Sequence, residues 1–147
     1  MLSIARGDFV EAHDRLDDLP IGWRVHGGEV LEARCELARA EAKWDVTPFI
    51  LAEAREFATA GGLSILALFA DRLEGHALLE TGDPAHALPL LLSARDGFAA
   101  HQAVYERART DRVLADAFRA AGRPDEAEAA SAAVKREFER LGVTVSG

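Results

Sequence analysis

The chain is poor in cysteine, methionine, lysine, proline and aromatic residues, and each shortage narrows what it can be. One cysteine in 147 residues, Cys35, cannot close a disulfide within the chain; this fits a reducing, cytoplasmic setting. With no His or Asp near it in sequence, Cys35 is expected to be a small buried hydrophobe. The longest apolar run, "LSILALFA", is far too short to span a bilayer. The opening "MLSIARGDFV" meets charge before an apolar signal segment can form. There is no G-x-x-x-x-G-K-[ST] phosphate loop, no H-E-x-x-H, no Cys/His zinc spacing and no G-x-S-x-G elbow. The five histidines are scattered, and nothing assembles a nucleophile, a base and an orienting group, so a non-catalytic protein without cofactor or metal is expected. "HGG", His26 to Gly28, reads as a helix-breaking loop.

A formal charge of −8 argues against nucleic acid or an anionic membrane as partner, since both need a basic face. Lys43 and Lys135 are the only lysines, and arginine carries the rest of the positive charge. That bias, with the excess of alanine, reflects codon usage in a GC-rich genome rather than function. Hydrophobic residues at 49% and charged residues at 29% describe a foldable chain of one-domain size, and the alanine favours helices.

What the chain has is recurring punctuation. "ARGDFVEAHDRL", "ETGDPAHALPLL" and "AAGRPDEAEAA" place Gly7, Gly82 and Gly122 five residues before Ala12, Ala87 and Ala127. Phe98 and Phe138 follow the last two glycines by sixteen residues. Taking Trp44-Asp45 as the missing Gly-Asp gives four copies spaced by 37, 38 and 40 residues, a period typical of stacked helical repeats. Each copy reads as a helix pair. Gly82 ends one helix in the left-handed conformation, Asp83 caps the next, and Pro84 takes its first position. Pro124 does the same after Gly122, with Asp125 and Glu126 set against the positive end of the helix dipole. Thr47-Pro48 starts the corresponding helix in the second copy.

Apolar residues then recur at helical spacing: Phe9, Ala12, Leu16 and Leu19; Ala87, Leu91, Ala94 and Phe98; Ala127, Ala130, Val134 and Phe138. Pro89 should kink its helix. Trp44 is expected to plug a seam between repeats. The expectation is an all-α, right-handed α-solenoid of antiparallel helix pairs, a single domain over 1–147. Its repeats fall at roughly 1–19, 25–60, 63–101 and 104–141, about three and a half in all, with a frayed tail at 142–147.

The segment "DRVLADAFRAAGRPDEAEAASAAVKREFERLG" resembles a tetratricopeptide repeat (TPR). Leu114-Ala115 and Phe118 match packing positions of the first helix, Gly122 the turn and Ala127 the small position of the second. Gly75, Leu78, Gly82 and Ala87 match one copy earlier. The chain departs from the family in having Asp71 or Asp111 for the early tryptophan, no closing proline, and repeats longer than the usual ~34 residues. A longer stretch, from "LLLSARDGFAAHQ" through the "GR-x-x-EA" turn to "FERLGV", is similar to the TPR-like region of LuxR-type and related ATP-binding transcriptional regulators. In those proteins a DNA-binding helix-turn-helix commonly follows. That likeness implies a sensing or interaction part.

The TPR likeness implies that the first helix of each pair lines a concave face. Carried over by position, that face receives Arg34 and Glu41 from the second copy, Phe69, Arg72, His76 and Leu79 from the third, and Arg109, Arg112, Asp116 and Arg119 from the fourth. Its arginines suit carboxylates, so a protein or acidic peptide is the expected partner. Alternatively these arginines pair with Asp71, Glu74, Asp111 and Asp116 on neighbouring helices. Two other functions stay open. One is self-association through uncapped solenoid ends at Phe9 and Val134, giving a homo-oligomeric scaffold. The other is a small-molecule pocket between helices. The short first copy suggests either a piece of a longer chain or ends that pair with another copy.

Overall fold

The structure, a computed structural model, describes residues 21–140 and 142, with side chains from Gly27 onward. Within that range the fold is all-α. Six helices follow one another: α1 (Ile21–Ala40), α2 (Thr47–Gly61), α3 (Ser64–Glu80), α4 (Pro84–Ala100), α5 (Val104–Ala120) and α6 (Pro124–Arg140). The expectations placed on Gly7, Phe9, Ala12, Leu16 and Leu19, and on the tail after Gly142, lie outside the described residues.

Backbone geometry at the turns sets the architecture. Left-handed residues stand at Ala42, Gly62, Gly82, Gln102, Gly122 and Gly142, one every twenty residues. Five of these turns share a bond that closes the preceding helix from the residue after the left-handed one. Lys43 donates to the Ala38 carbonyl, Leu63 to Ala58, Asp83 to Leu78, Ala103 to Phe98 and Arg123 to Phe118, at 2.8 to 2.9 Å. The repeat is therefore a helix pair of forty residues, built from two near-equal halves.

That register corrects the second copy. Its left-handed turn is at Ala42, not at Trp44-Asp45, and so falls forty residues before Gly82. Alanine gives no sequence signal for a left-handed turn, whereas glycine does. With the turn at Ala42, Thr47 becomes the equivalent of Ala87 and Ala127, and all three are buried. Forty-residue spacing also aligns the buried small residues Cys35, Gly75 and Ala115 on the first helices. A Cβ on Gly75 would stand 2.7 Å from the Leu91 Cγ, so α3 and α4 approach as closely as they do because that side chain is missing.

The helix starts follow the sequence logic. Asp83 accepts a hydrogen bond from the His86 backbone N–H at 3.2 Å, and Pro84 opens α4. Pro48 stands in the first turn of α2. Pro89 lies inside α4, which runs on to Ala100. Both Pro89 and Ala85, whose carbonyl loses its partner, lie on the exposed side where water can reach them. "HGG" is not a loop but lies inside α1. Gly27 and Gly28 are buried there, and a Cβ on each would meet the Phe57 ring at 2.6 Å and Leu63 Cδ1 at 2.8 Å. Close packing of α1 on α2 and the turn after it outweighs the modest helix penalty of glycine.

Each helix packs on its chain neighbours, and α1 also meets α3, as α3 meets α5. One apolar cluster joins Leu31, Ile50, Phe57, Leu66, Leu73 and Phe98, with Trp44 packed against it. A second joins Leu88, Leu91, Leu114, Phe118 and Ala130 across α4, α5 and α6. Among the described residues no helix is long and apolar enough to cross a membrane.

Candidate functional site

Because α1, α3 and α5 lie side by side, residues forty apart form rows across them. The rows place Glu29, Phe69 and Arg109 together, then Glu32, Arg72 and Arg112, then Glu36, His76 and Asp116, then Arg39, Leu79 and Arg119. Moving the turn to Ala42 exchanges the expected Arg34 and Glu41 for Glu32 and Arg39. Arg34 faces Glu53 of α2 across 3.5 Å, and Glu41 is exposed in the turn beyond α1.

Arg72 is the centre of this face and is enclosed by it. Its side chain has no exposed surface. One guanidinium nitrogen donates to Glu36 of α1 at 2.7 Å and to the Glu106 carboxylate of α5 at 2.8 Å. A second donates to the Glu106 backbone carbonyl at 3.1 Å and the Thr110 hydroxyl at 3.2 Å. The rings of Phe69 and Phe98 flank it, their centroids 4.9 and 5.0 Å from the guanidinium carbon. An arginine expected on the open floor of a groove is thus a buried tie between three helices. Its charge is tolerated because two carboxylates meet it and two of its nitrogens make four hydrogen bonds, while Nε is buried without a partner. Phe69 is likewise buried, with its ring edge-on to Phe98.

Glu36 is the second node. Burial pushes its carboxyl up, but the hydrogen bond from Arg39 and the charges of Arg72, Arg39 and Arg109 outweigh that and hold it at about 2. Arg109 reaches Glu36 at 3.4 Å and lies over the Tyr105 ring at 4.6 Å. His76, half-buried, tilts against the Trp44 ring with centroids 5.0 Å apart. Its Nδ1 is buried without a hydrogen-bond partner. Burial first, then the charge of Arg39, push its pKa down to about 4, so it is neutral near pH 7. Cys35 is buried and its thiol is pushed up to about 12, mainly by that burial, which leaves it inert. Glu36, Tyr105, Glu106 and Thr110 were not among the residues expected here. For Glu36 the missing signal was the left-handed alanine that sets the register.

The basic end of the face is different. Arg112 stacks over the Phe138 ring at 6.0 Å and has no carboxylate partner among the described residues. Arg119 pairs with Asp116 at 3.0 Å and donates to the Ser131 hydroxyl at 3.1 Å. Arg112, Asp116 and Arg119 of α5 and Ser131 and Lys135 of α6 line an open cleft of about 570 Å³ floored by Ala115 and Val134. Val134 is itself buried with Ala108 and Phe138, so it does not project as an apolar knob at an open end. Of the local pairings expected for these arginines, Arg119 with Asp116 is present. Asp71 and Glu74 instead go to Arg55, and Asp111 goes to Arg95 and Arg107. Burial pushes the Asp111 carboxyl up against those two arginines.

The structure therefore brings Phe69, Arg72, His76 and Arg109 together around Glu36, sets Arg112, Asp116 and Arg119 around the α5/α6 cleft, and separates Arg34 from both. Among the described residues no group of His, Cys, Asp and Glu side chains is arranged to hold a metal ion. No family model matches the chain, and no curated protein and no solved structure is significantly similar to it.

Proposed function

We propose that the chain is a TPR-like right-handed α-solenoid acting as a non-catalytic protein-interaction or sensory module, with the basic end of its α1/α3/α5 face receiving an acidic peptide or partner domain in the cytoplasm. The observation that carries this reading is the contrast along one row: Arg72 is paired with two carboxylates of its own chain, while Arg112 is exposed and has none among the described residues. Beside it, Arg109 and Arg119 keep 38% and 53% of their side chains exposed. A local cluster of planar cations in a chain of charge −8 is suited to bidentate carboxylate recognition. The likeness to LuxR-type regulators extends the reading to the interaction part of a transcriptional regulator.

The test is selection of binders from a displayed random-peptide library. Enrichment of Asp and Glu among selected peptides, with binding lost on Arg109→Glu and Arg112→Glu, is the expected result. Selected peptides that bind both variants as well as the parent would place recognition elsewhere and overturn the reading.

A further inference from the structure

Ion pairs between successive helix pairs recur in the forty-residue register. Arg55 on α2 reaches Asp71 on α3 at 3.0 Å, and Arg95 on α4 reaches Asp111 on α5 at 3.9 Å. In both, the arginine leaves the second helix of one pair and the aspartate is the eighth residue of the first helix of the next. The next position in the series is Lys135 on α6, which is exposed and has no ion-pair partner among the described residues.

The same step relates Arg72 to Arg112. Arg72 is held by Glu106 and Thr110 of the helix that docks on its pair, whereas Arg112 has only the Phe138 ring. Gly75 and Leu91 are buried, and Leu91 belongs to one apolar cluster with Leu114 of α5. Their equivalents, Ala115 and Ser131, line the α5/α6 cleft. The cleft is thus the surface on which α5 docks, repeated one pair further along, and among the described residues no helix covers it.

We propose that the α5/α6 cleft accepts an amphipathic helix from a separate polypeptide, one carrying a carboxylate for Lys135 and a second carboxylate five residues earlier for Arg112, as Asp111 and Glu106 do for Arg95 and Arg72. The cations lining the cleft outnumber its one acid, Asp116, and so complement such a helix. A second copy fits less well. The equivalent of Asp111 on α1 is Leu31, and that on α3 is Asp71, already engaged by Arg55. This inference rests on the interaction-module reading and names the partner's form.

A labelled synthetic peptide with the sequence of α5, Val104–Ala120, is the probe, titrated by fluorescence anisotropy against the full chain at low salt. The expected result is binding weakened about ten-fold or more by Lys135→Glu and by Arg112→Glu, both exposed positions whose reversal leaves the core intact. A peptide carrying Asp111→Lys should recover binding to the Lys135→Glu chain. No binding, or binding that neither reversal changes, would overturn the proposal. So would a dimer dissolved by Lys135→Glu in sedimentation, which would give the cleft to a second copy. Library peptides that depend on Arg109 but not on Lys135 would leave the interaction module standing and remove only this docking site.

Discussion

Arg72 shows how burial changes what a charged residue is for. Removing a fully enclosed guanidinium from water is costly, and its two carboxylates and flanking rings make that position stable only as a set. Replacing Glu36 and Glu106 together by glutamine leaves the cation buried and uncompensated. We expect a loss of about 3 kcal/mol or more in urea unfolding. Arg72→Met, of similar length and apolar, should cost distinctly less, because it removes the charge along with its need for partners. Equal losses in the two variants would mean that the pairing contributes little.

His76 contributes at the same scale. Its folded pKa of about 4 lies below the ordinary histidine value of 6.5, so between those values the unfolded chain binds a proton that the folded chain does not. Its contribution is complete above about 6.5 and is lost as pH falls to about 4. Glu36, depressed from 4.5 to about 2, loses its own contribution over the next window down. Chemical unfolding from pH 7 to 4 should show a decline on the order of 2 kcal/mol that His76→Gln largely removes. A decline of the same size in that variant would assign it to other groups.

Among the elements, the turns are the most uniform feature, and two of them strain against their residue type. Ala42 and Gln102 hold φ of 54° and 58°, where a Cβ is unfavourable by roughly 1 kcal/mol. Gln102→Gly relieves that strain, against some added entropy of the unfolded chain, and should raise the melting temperature by a degree or more. An unchanged or lower value would show that other contacts of Gln102 matter more. Gly75 makes the opposite case. Alanine there gains helix propensity but places a Cβ against Leu91, and we expect net destabilisation of about 1–3 kcal/mol from overpacking α3 on α4. A stabilised Gly75→Ala chain would mean that Leu91 moves aside freely.

At the scale of the molecule, the described helices pack mainly on near neighbours in the chain, so stability is expected to be distributed along it. Of the described helices, α2, α3, α4 and α5 have packed helices before and after them in the chain; α3 and α4 are the middle two, and Arg72 ties α3 to both α1 and α5. Hydrogen exchange should find the slowest amides in α3 and α4 and faster ones in α6, whose exposed side carries Lys135, Arg136 and Glu139. Amides of α6 as slow as those of α3 would argue instead for a single cooperative unit. Charge is also distributed along the face, with Glu29, Glu32 and Glu36 on α1 and Arg109, Arg112 and Arg119 on α5. Burial first, then Glu29 and Glu106, push the Glu32 carboxyl up, as expected where acids crowd together.

The sequence by itself determined that the chain is helical, and those helix ends that glycine or proline marks. Glycine at 82 and 122, prolines at 84 and 124 and the helical spacing of Ala87, Leu91, Ala94 and Phe98 act locally, through backbone preference and burial of one helix face. Tertiary structure alone decided the rest. Ala42 takes a glycine's conformation because the helices on either side pack that way, and no local preference announces it. Gly27 and Gly28 stay helical because Phe57 and Leu63 occupy the space their side chains would need. Whether an arginine at one repeat position becomes a core tie, as Arg72 does, or stays open, as Arg112 does, depends on whether another helix brings carboxylates to it. That is a contact between residues more than thirty positions apart, and periodicity within a single helix does not encode it.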